Sequence, residues 1–164
     1  MITKESLLNV YMEVAGSFAT LSHARRLKVG CIIVKDDRII SIGYNGMPAG
    51  WDNNCEDMVA YTKEGFDNFD IGSEYITKPE VLHAETNAIA KLAKSTESGE
   101  GATLFTTCAP CLECSKLIYQ SGITQVVYGH RYKSAVGIDF LKKCNIHVSE
   151  VPLQYKVKQT LARL

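Results

Sequence analysis

Thr106-Thr107-Cys108-Ala109-Pro110-Cys111-Leu112-Glu113-Cys114 is a strand-like run that halts at a proline and restarts with two cysteines at helical spacing. Two cysteines separated by two residues can point their sulfurs at one metal ion, and a proline opening a helix places both in or near its first turn. Upstream, His83-Ala84-Glu85 supplies what the pair lacks. His83 is the third ligand, and three protein ligands leave one tetrahedral position open to water, the mark of a catalytic rather than a structural zinc. Glu85 stands two positions past His83, close enough to act on that open position without being a ligand, so it can carry protons.

Each half alone admits plainer readings. Cys-x-x-Cys could be a redox pair, half of a four-ligand zinc knuckle, or two buried thiols. His-x-Glu is commonly just helix surface. Here a helix-like segment follows each half and the run Ala102 to Thr106 separates them as a strand. A structural four-cysteine site would need a second Cys-x-x-Cys, which Cys31, Cys55, Cys108 and Cys144 do not form.

Length and composition bound the rest. A chain of 164 residues, 46% hydrophobic, suits one compact domain with its own core, so residues 1–164 are expected to form a single unit. Formal charge balances at zero, with no basic run of the kind that holds a nucleic-acid backbone. That favours a small-molecule substrate over nucleic acid. The N-terminus lacks the build of a signal peptide, and no apolar run approaches the roughly 18 residues of a membrane span. A cytoplasmic protein is expected, with its six cysteines as thiols and metal ligands rather than disulfides.

In chain order, Leu7, Leu8, Tyr11, Val14, Ala15, Phe18 and Leu21 recur at helical spacing and predict a first helix that runs out near Ser22-His23, capped by Thr3 or Ser6. Arg25, Arg26 and Lys28 then form a basic cluster, either a solvated loop or a phosphate contact. Val29–Val34 and Arg38–Tyr44, joined through Lys35-Asp36-Asp37, read as a β-hairpin in which Cys31 is a core thiol. Asn45-Gly46 is open to two readings: turn chemistry, or an asparagine at a pocket mouth holding a sugar hydroxyl.

Residues 47 to 82 interrupt the pattern with little period of either kind, beyond a short helix expected around Cys55 to Glu64; long connections of this kind are usually functional or mobile. A second helix opened by His83 carries Ala84, Ala88, Ile89, Leu92 and Ala93. The cysteine-bearing helix follows the third strand and stops at Gly122. Thr124–Tyr128 is a fourth strand, Ser134–Lys143 a fourth helix and Ile146–Val148 a fifth strand; a short terminal helix after Val151 closes the chain. A helix between the last two strands favours a parallel crossover. The expected architecture is an α/β three-layer α-β-α sandwich with a five-stranded mixed sheet and the site where helices two and three begin.

Val29-Gly30-Cys31, Gly43-Tyr44-Asn45-Gly46-Met47-Pro48, His83-Ala84-Glu85-Thr86-Asn87-Ala88-Ile89 and Pro110-Cys111-Leu112-Glu113-Cys114 together resemble the deoxycytidylate (dCMP) deaminases of the cytidine-deaminase superfamily. The zinc motif points to the superfamily; the Gly-Tyr-Asn-Gly-Met-Pro stretch and the long insertion point to the dCMP branch. The resemblance implies a cytidine-deaminase-like fold and zinc-dependent hydrolysis of dCMP to dUMP and ammonia. It further implies that backbone groups near Ala84 and Cys108 read the pyrimidine edge and that Asn45 holds the 3′-hydroxyl. Arg26 is the candidate for the phosphate and Tyr132 for the pocket wall, although ordinary packing accounts equally well for Tyr132. The family is typically a homohexamer, activated by dCTP with Mg²⁺ and inhibited by dTTP. The insertion, with Gly46, Asp52 and Asn53, is the candidate regulatory segment, a plain surface loop being the alternative. Some members carry an additional structural zinc, of which only His23 and Cys55 are suggestive here.

Overall fold

A computed structural model describes residues 4–64 and 69–153. Its centre is a five-stranded sheet of β1 (Gly30–Lys35), β2 (Arg38–Tyr44), β5 (Thr103–Cys108), β6 (Gln125–His130) and β7 (His147–Glu150), in the order β2-β1-β5-β6-β7. β1 pairs antiparallel with both β2 and β5, whereas β5, β6 and β7 run parallel. α3 (Leu112–Gln120) and α4 (Val136–Lys143) make the crossovers between the parallel strands, as the alternating pattern predicts. Asp36 and Asp37 both take positive φ (50° and 57°) in the β1–β2 connection, a two-residue turn whose twist matches the strands it joins.

Both faces of the sheet are covered, so β1 is an unbroken apolar run rather than an alternating one. On one face, Ile32, Val34, Phe105 and Val127 meet Met12 and Ala15 of α1 (Lys4–Ala19). On the other, Cys31, Ile33, Leu104 and Val126 meet Ala84, Ala88 and Leu92 of α2 (Ala84–Leu92), Ile118 of α3 and Leu141 of α4. The three-layer mixed sandwich expected from the sequence is the observed one. Gly43 brings β2 directly onto the start of α2: a Cβ there would collide with the Ala84 carbonyl.

The inserted segment departs from expectation. Cys55 to Glu64 is not a helix. β3 (Glu56–Glu64) and β4 (Phe69–Thr77) form a separate two-stranded antiparallel ribbon, paired from Glu56↔Thr77 to Glu64↔Phe69. Cross-strand pairing of Met58 with Tyr75 and Asp57 with Ile76 satisfies the backbone there, and the β-formers Val59, Tyr61, Tyr75 and Ile76 suit a pleat better than a helix. At its foot Lys78 N donates to the Cys55 carbonyl (2.9 Å). Gly46 and Leu82 exchange both backbone hydrogen bonds (3.1 and 2.9 Å), so the insertion leaves and rejoins the body at one point.

The first helix ends at Ala19, three residues before the expected Ser22-His23, and i→i−3 bonds from the Thr20, Leu21 and Ser22 N–H groups (3.2, 3.1 and 3.1 Å) tighten the chain as far as Ser22. Ser6 lies inside that helix and does not cap it. Thr3 and the terminal helix expected beyond residue 153 fall outside the described residues.

Candidate active site

Two helix starts face each other at the carboxyl end of β5. Cys111 is the N-cap of α3, with extended backbone (φ −69°, ψ 170°), and its sulfur accepts the Cys114 N–H at 3.5 Å. His83 is the corresponding N-cap of α2 (φ −75°, ψ 156°), and its carbonyl accepts from the Asn87 N–H (3.0 Å) and the Thr86 hydroxyl (2.8 Å). The positive ends of both helices therefore converge on one spot and favour negative charge there.

His83 Nδ1 lies 3.6 Å from Cys111 Sγ and 3.3 Å from Cys114 Sγ, and the three donor atoms sit within 4.8 Å of one another. A tetrahedral zinc, with Zn–S about 2.3 Å and Zn–N about 2.0 Å, sets sulfur and nitrogen roughly 3.5 Å apart. The donor set fits zinc in spacing and in chemistry. Among the described residues no other three His, Cys, Asp or Glu side chains form such a group, and His23 and Cys55 belong to none.

The protons of this cluster are unevenly held. Hydrogen bonds from Cys114 and His83 push the Cys111 thiol down to about 3. The same Cys114–Cys111 bond, together with burial, holds the Cys114 thiol well above its usual range. His83 is raised, first by its contact with the Cys111 sulfur. Glu85, only 4% exposed, is raised by burial, against which its own backbone N–H and the nearby His83 charge act. Its carboxyl is buried beside the three-donor group without belonging to it.

The predicted residues are distributed around this centre. Ala84 is fully buried between His83 and Glu85. Cys108 ends β5, and burial followed by the Glu85 charge pushes its thiol up to about 12, so it is a neutral group rather than a fourth thiolate ligand. Asn45 is buried, and its amide is partly committed: Oδ1 accepts the Val29 N–H (2.8 Å) and Nδ2 donates to the Leu27 carbonyl (2.9 Å). Among the described residues these two backbone groups are its side-chain partners. Arg26 turns toward the ribbon, where its guanidinium donates to Thr77 Oγ1 (3.2 Å). Tyr132 follows β6 and is 44% exposed. Gly46 is committed to its bridge with Leu82; Asp52 Oδ1 accepts the Asn54 N–H (3.2 Å), and Asn53 offers its carbonyl to the Cys55 thiol, both in the turn leading into β3.

Sequence reasoning passed over Thr106. It is fully buried, and its hydroxyl lies 3.0 Å from the Cys108 carbonyl and 3.4 Å from Glu85 Oε1. A polar residue in a strand covered on both faces was the available signal. Cys31, expected as a core thiol, is fully buried, and the Glu85 charge adds to burial in raising it.

A three-layer sheet bearing His-x-Glu and Pro-Cys-x-x-Cys at two facing helix starts is the arrangement that defines the zinc-dependent nucleobase deaminases. The family model for the cytidine and deoxycytidylate deaminase zinc-binding region matches residues 5–130. The deoxycytidylate deaminase of Enterobacteria phage T4 is 37% identical over 157 residues, covering 76% of this chain and 79% of that protein. The human deoxycytidylate deaminase is 37% identical over 119 residues, covering 72% of this chain and 61% of its own length. Among solved structures, the dCMP deaminase of cyanophage S-TIM5, determined in complex with dCMP and dUMP, superposes with a TM-score of 0.77 at 39% identity, over 91% of this chain and 99% of that one. The chain belongs to the cytidine and deoxycytidylate deaminase zinc-binding family.

Proposed function

We propose that this protein catalyses the hydrolytic deamination of dCMP to dUMP and ammonia, with zinc held by His83, Cys111 and Cys114 and with Glu85 as the proton carrier. The observation that carries the reading is the buried Glu85 carboxyl set beside a three-donor cluster of zinc spacing. Zinc, when bound, supplies a Lewis acid that lowers the pKa of its water to about 7. Glu85 would carry a proton from the attacking water to N3 of the cytosine as that water's oxygen adds to C4. The second water proton travels by the same carboxylate to the exocyclic amine, which leaves as ammonia while C4 keeps the oxygen. The buried Thr106 hydroxyl lies where it can steady Glu85 between these transfers.

On this reading, backbone groups at Ala84 and Cys108 meet the pyrimidine edge, Asn45 meets the 3′-hydroxyl, and Arg26 and Tyr132 line the phosphate end. The substrate preference is supported by the relatives that share most of the chain and are named deoxycytidylate deaminases, and by the dCMP and dUMP bound in the cyanophage enzyme. The wider role is supply of dUMP for thymidylate synthesis by a cytoplasmic enzyme. None of the six cysteines is in a disulfide, the usage that a reducing compartment favours.

The regulatory reading is that residues 47–82 are an insertion in a single domain, that the chain works as a homohexamer, and that dCTP with Mg²⁺ activates it while dTTP inhibits it through Gly46, Asp52 and Asn53. What supports it is the pinned neck of the insertion. Gly46 follows Asn45 directly and Leu82 precedes His83, so a nucleotide bound there is one residue from both the sugar contact and a metal ligand. Loss of cytosine absorbance with dCMP, dCTP and deoxycytidine in turn tests the substrate; turnover of deoxycytidine at the rate of dCMP overturns the assignment.

A further inference from the structure

Glu56, the first residue of β3, is 2% exposed, although it opens a ribbon whose Asp57, Met58, Val59 and Ala60 all face solvent. Its carboxylate accepts the Arg25 backbone N–H with both oxygens (3.0 and 3.1 Å) and the Arg26 N–H with one (3.3 Å). Consecutive N–H groups aimed at one anion form a nest, and here the anion is the protein's own carboxylate. The same loop is tied to the ribbon foot by its side chains. Arg25 donates to Asn54 Oδ1 (2.9 Å) and lies 5.5 Å from the centre of the Tyr75 ring, and Arg26 donates to Thr77 Oγ1, on the residue paired with Glu56 across the ribbon. At its far end the loop supplies the Leu27 carbonyl and the Val29 N–H that hold Asn45. A chain of hydrogen bonds thus runs from Glu56 through residues 25–29 to Asn45.

We propose that Glu56 is a positioning residue for substrate recognition: by seating the backbone of Arg25 and Arg26, it fixes the loop that presents Arg26 and Asn45 to the sugar-phosphate end of the nucleotide. This rests on the substrate reading given above. Glu56 touches neither substrate nor metal in this scheme. Its removal leaves the metal cluster and Glu85 untouched and loosens the grip on the phosphate.

Glu56→Gln is the direct test, because it keeps the volume but offers one of the two N–H groups an amide nitrogen in place of an oxygen. The variant is expected to hold zinc like the wild type and to keep kcat within about threefold. KM for dCMP should rise about tenfold or more, the weight of one charge-assisted hydrogen bond. The preference for dCMP over deoxycytidine should shrink by a similar factor, a selective loss that general destabilisation would not produce. Glu56→Asp, which keeps the charge but shortens its reach to the Arg25 and Arg26 N–H groups, should move the same two quantities by a smaller factor and serves if E56Q does not fold. A wild type that does not distinguish dCMP from deoxycytidine overturns the substrate reading, and this role with it. Wild-type discrimination that survives intact in whichever of the two variants folds overturns the role of Glu56 alone.

Discussion

Cys114 Sγ stands 3.3 Å from His83 Nδ1 across 31 residues of sequence, each at or within a turn of the start of its own helix. Neither helix could place that contact alone. The position of α2 comes from its packing on β1 and β2, and that of α3 from the end of β5.

Replacing Glu85 by alanine should leave one zinc per chain and abolish turnover. Proton-carrying groups contribute roughly 10²- to 10⁴-fold, and this one serves several transfers, so kcat should fall at least that far. Metal analysis and a stopped assay on the same sample decide it. Loss of zinc would make Glu85 a ligand instead, and near-normal activity would remove it from the mechanism.

Zinc affinity should weaken as pH falls. Cys111 is already a thiolate at neutral pH, whereas Cys114 keeps its proton and His83 has a raised affinity for one. Zinc needs both sulfurs and Nδ1 deprotonated, so uptake near pH 7 releases at least one proton, and affinity should drop about tenfold per pH unit for each proton displaced. Competition with a chelator at two pH values measures the slope. A pH-independent affinity would contradict the donor set.

Arg26→Ala should lower kcat/KM for dCMP about tenfold or more, the effect of losing one charge-assisted hydrogen bond to phosphate, while leaving deoxycytidine nearly untouched. Equal losses on both substrates would mean that Arg26 does not read the phosphate and serves only its bond to Thr77.

Gly43→Ala should destabilise the fold by about 1–3 kcal/mol, since the added methyl meets the Ala84 backbone of α2 with no flexible side chain to yield. Thermal unfolding of the zinc-loaded protein reports the cost. The displaced helix carries His83 and Glu85, so kcat should fall alongside the melting temperature; an unchanged Tm would show that α2 can shift freely on the sheet.

Nucleotide control gives a separate expectation: rate against dCMP should be sigmoidal, raised by dCTP with Mg²⁺ and lowered by dTTP at low dCMP. Hyperbolic rates that ignore both triphosphates would leave the ribbon some other role.

The candidate metal cluster was legible because short spacings carry it: His83 and Glu85, and Cys111 and Cys114, each stand at a helix start, and strand–helix alternation supplied the sheet that joins them. The ribbon was not legible. A strand announces itself when one face is buried, and residues 57 to 60 bury neither, so Asp57, Met58, Val59 and Ala60 show no useful alternation. Glu56 reads in sequence like any surface acid, since the two N–H groups that bind it lie about thirty residues away. The bond from Arg26 to the Thr77 hydroxyl had no signal either, since Thr77 lies fifty-one residues away in a strand that the sequence does not announce.

The reciprocal bonds between Gly46 and Leu82 give the insertion the form of a graft. Everything between those two residues begins and ends at a junction that is already closed, so lengthening or shortening the ribbon changes a ring that the catalytic sheet does not have to close. Ring size is cheap, each doubling costing only about 0.6 kcal/mol. The enzyme can therefore vary this segment by many residues while the two helix starts that hold its metal ligands keep their spacing.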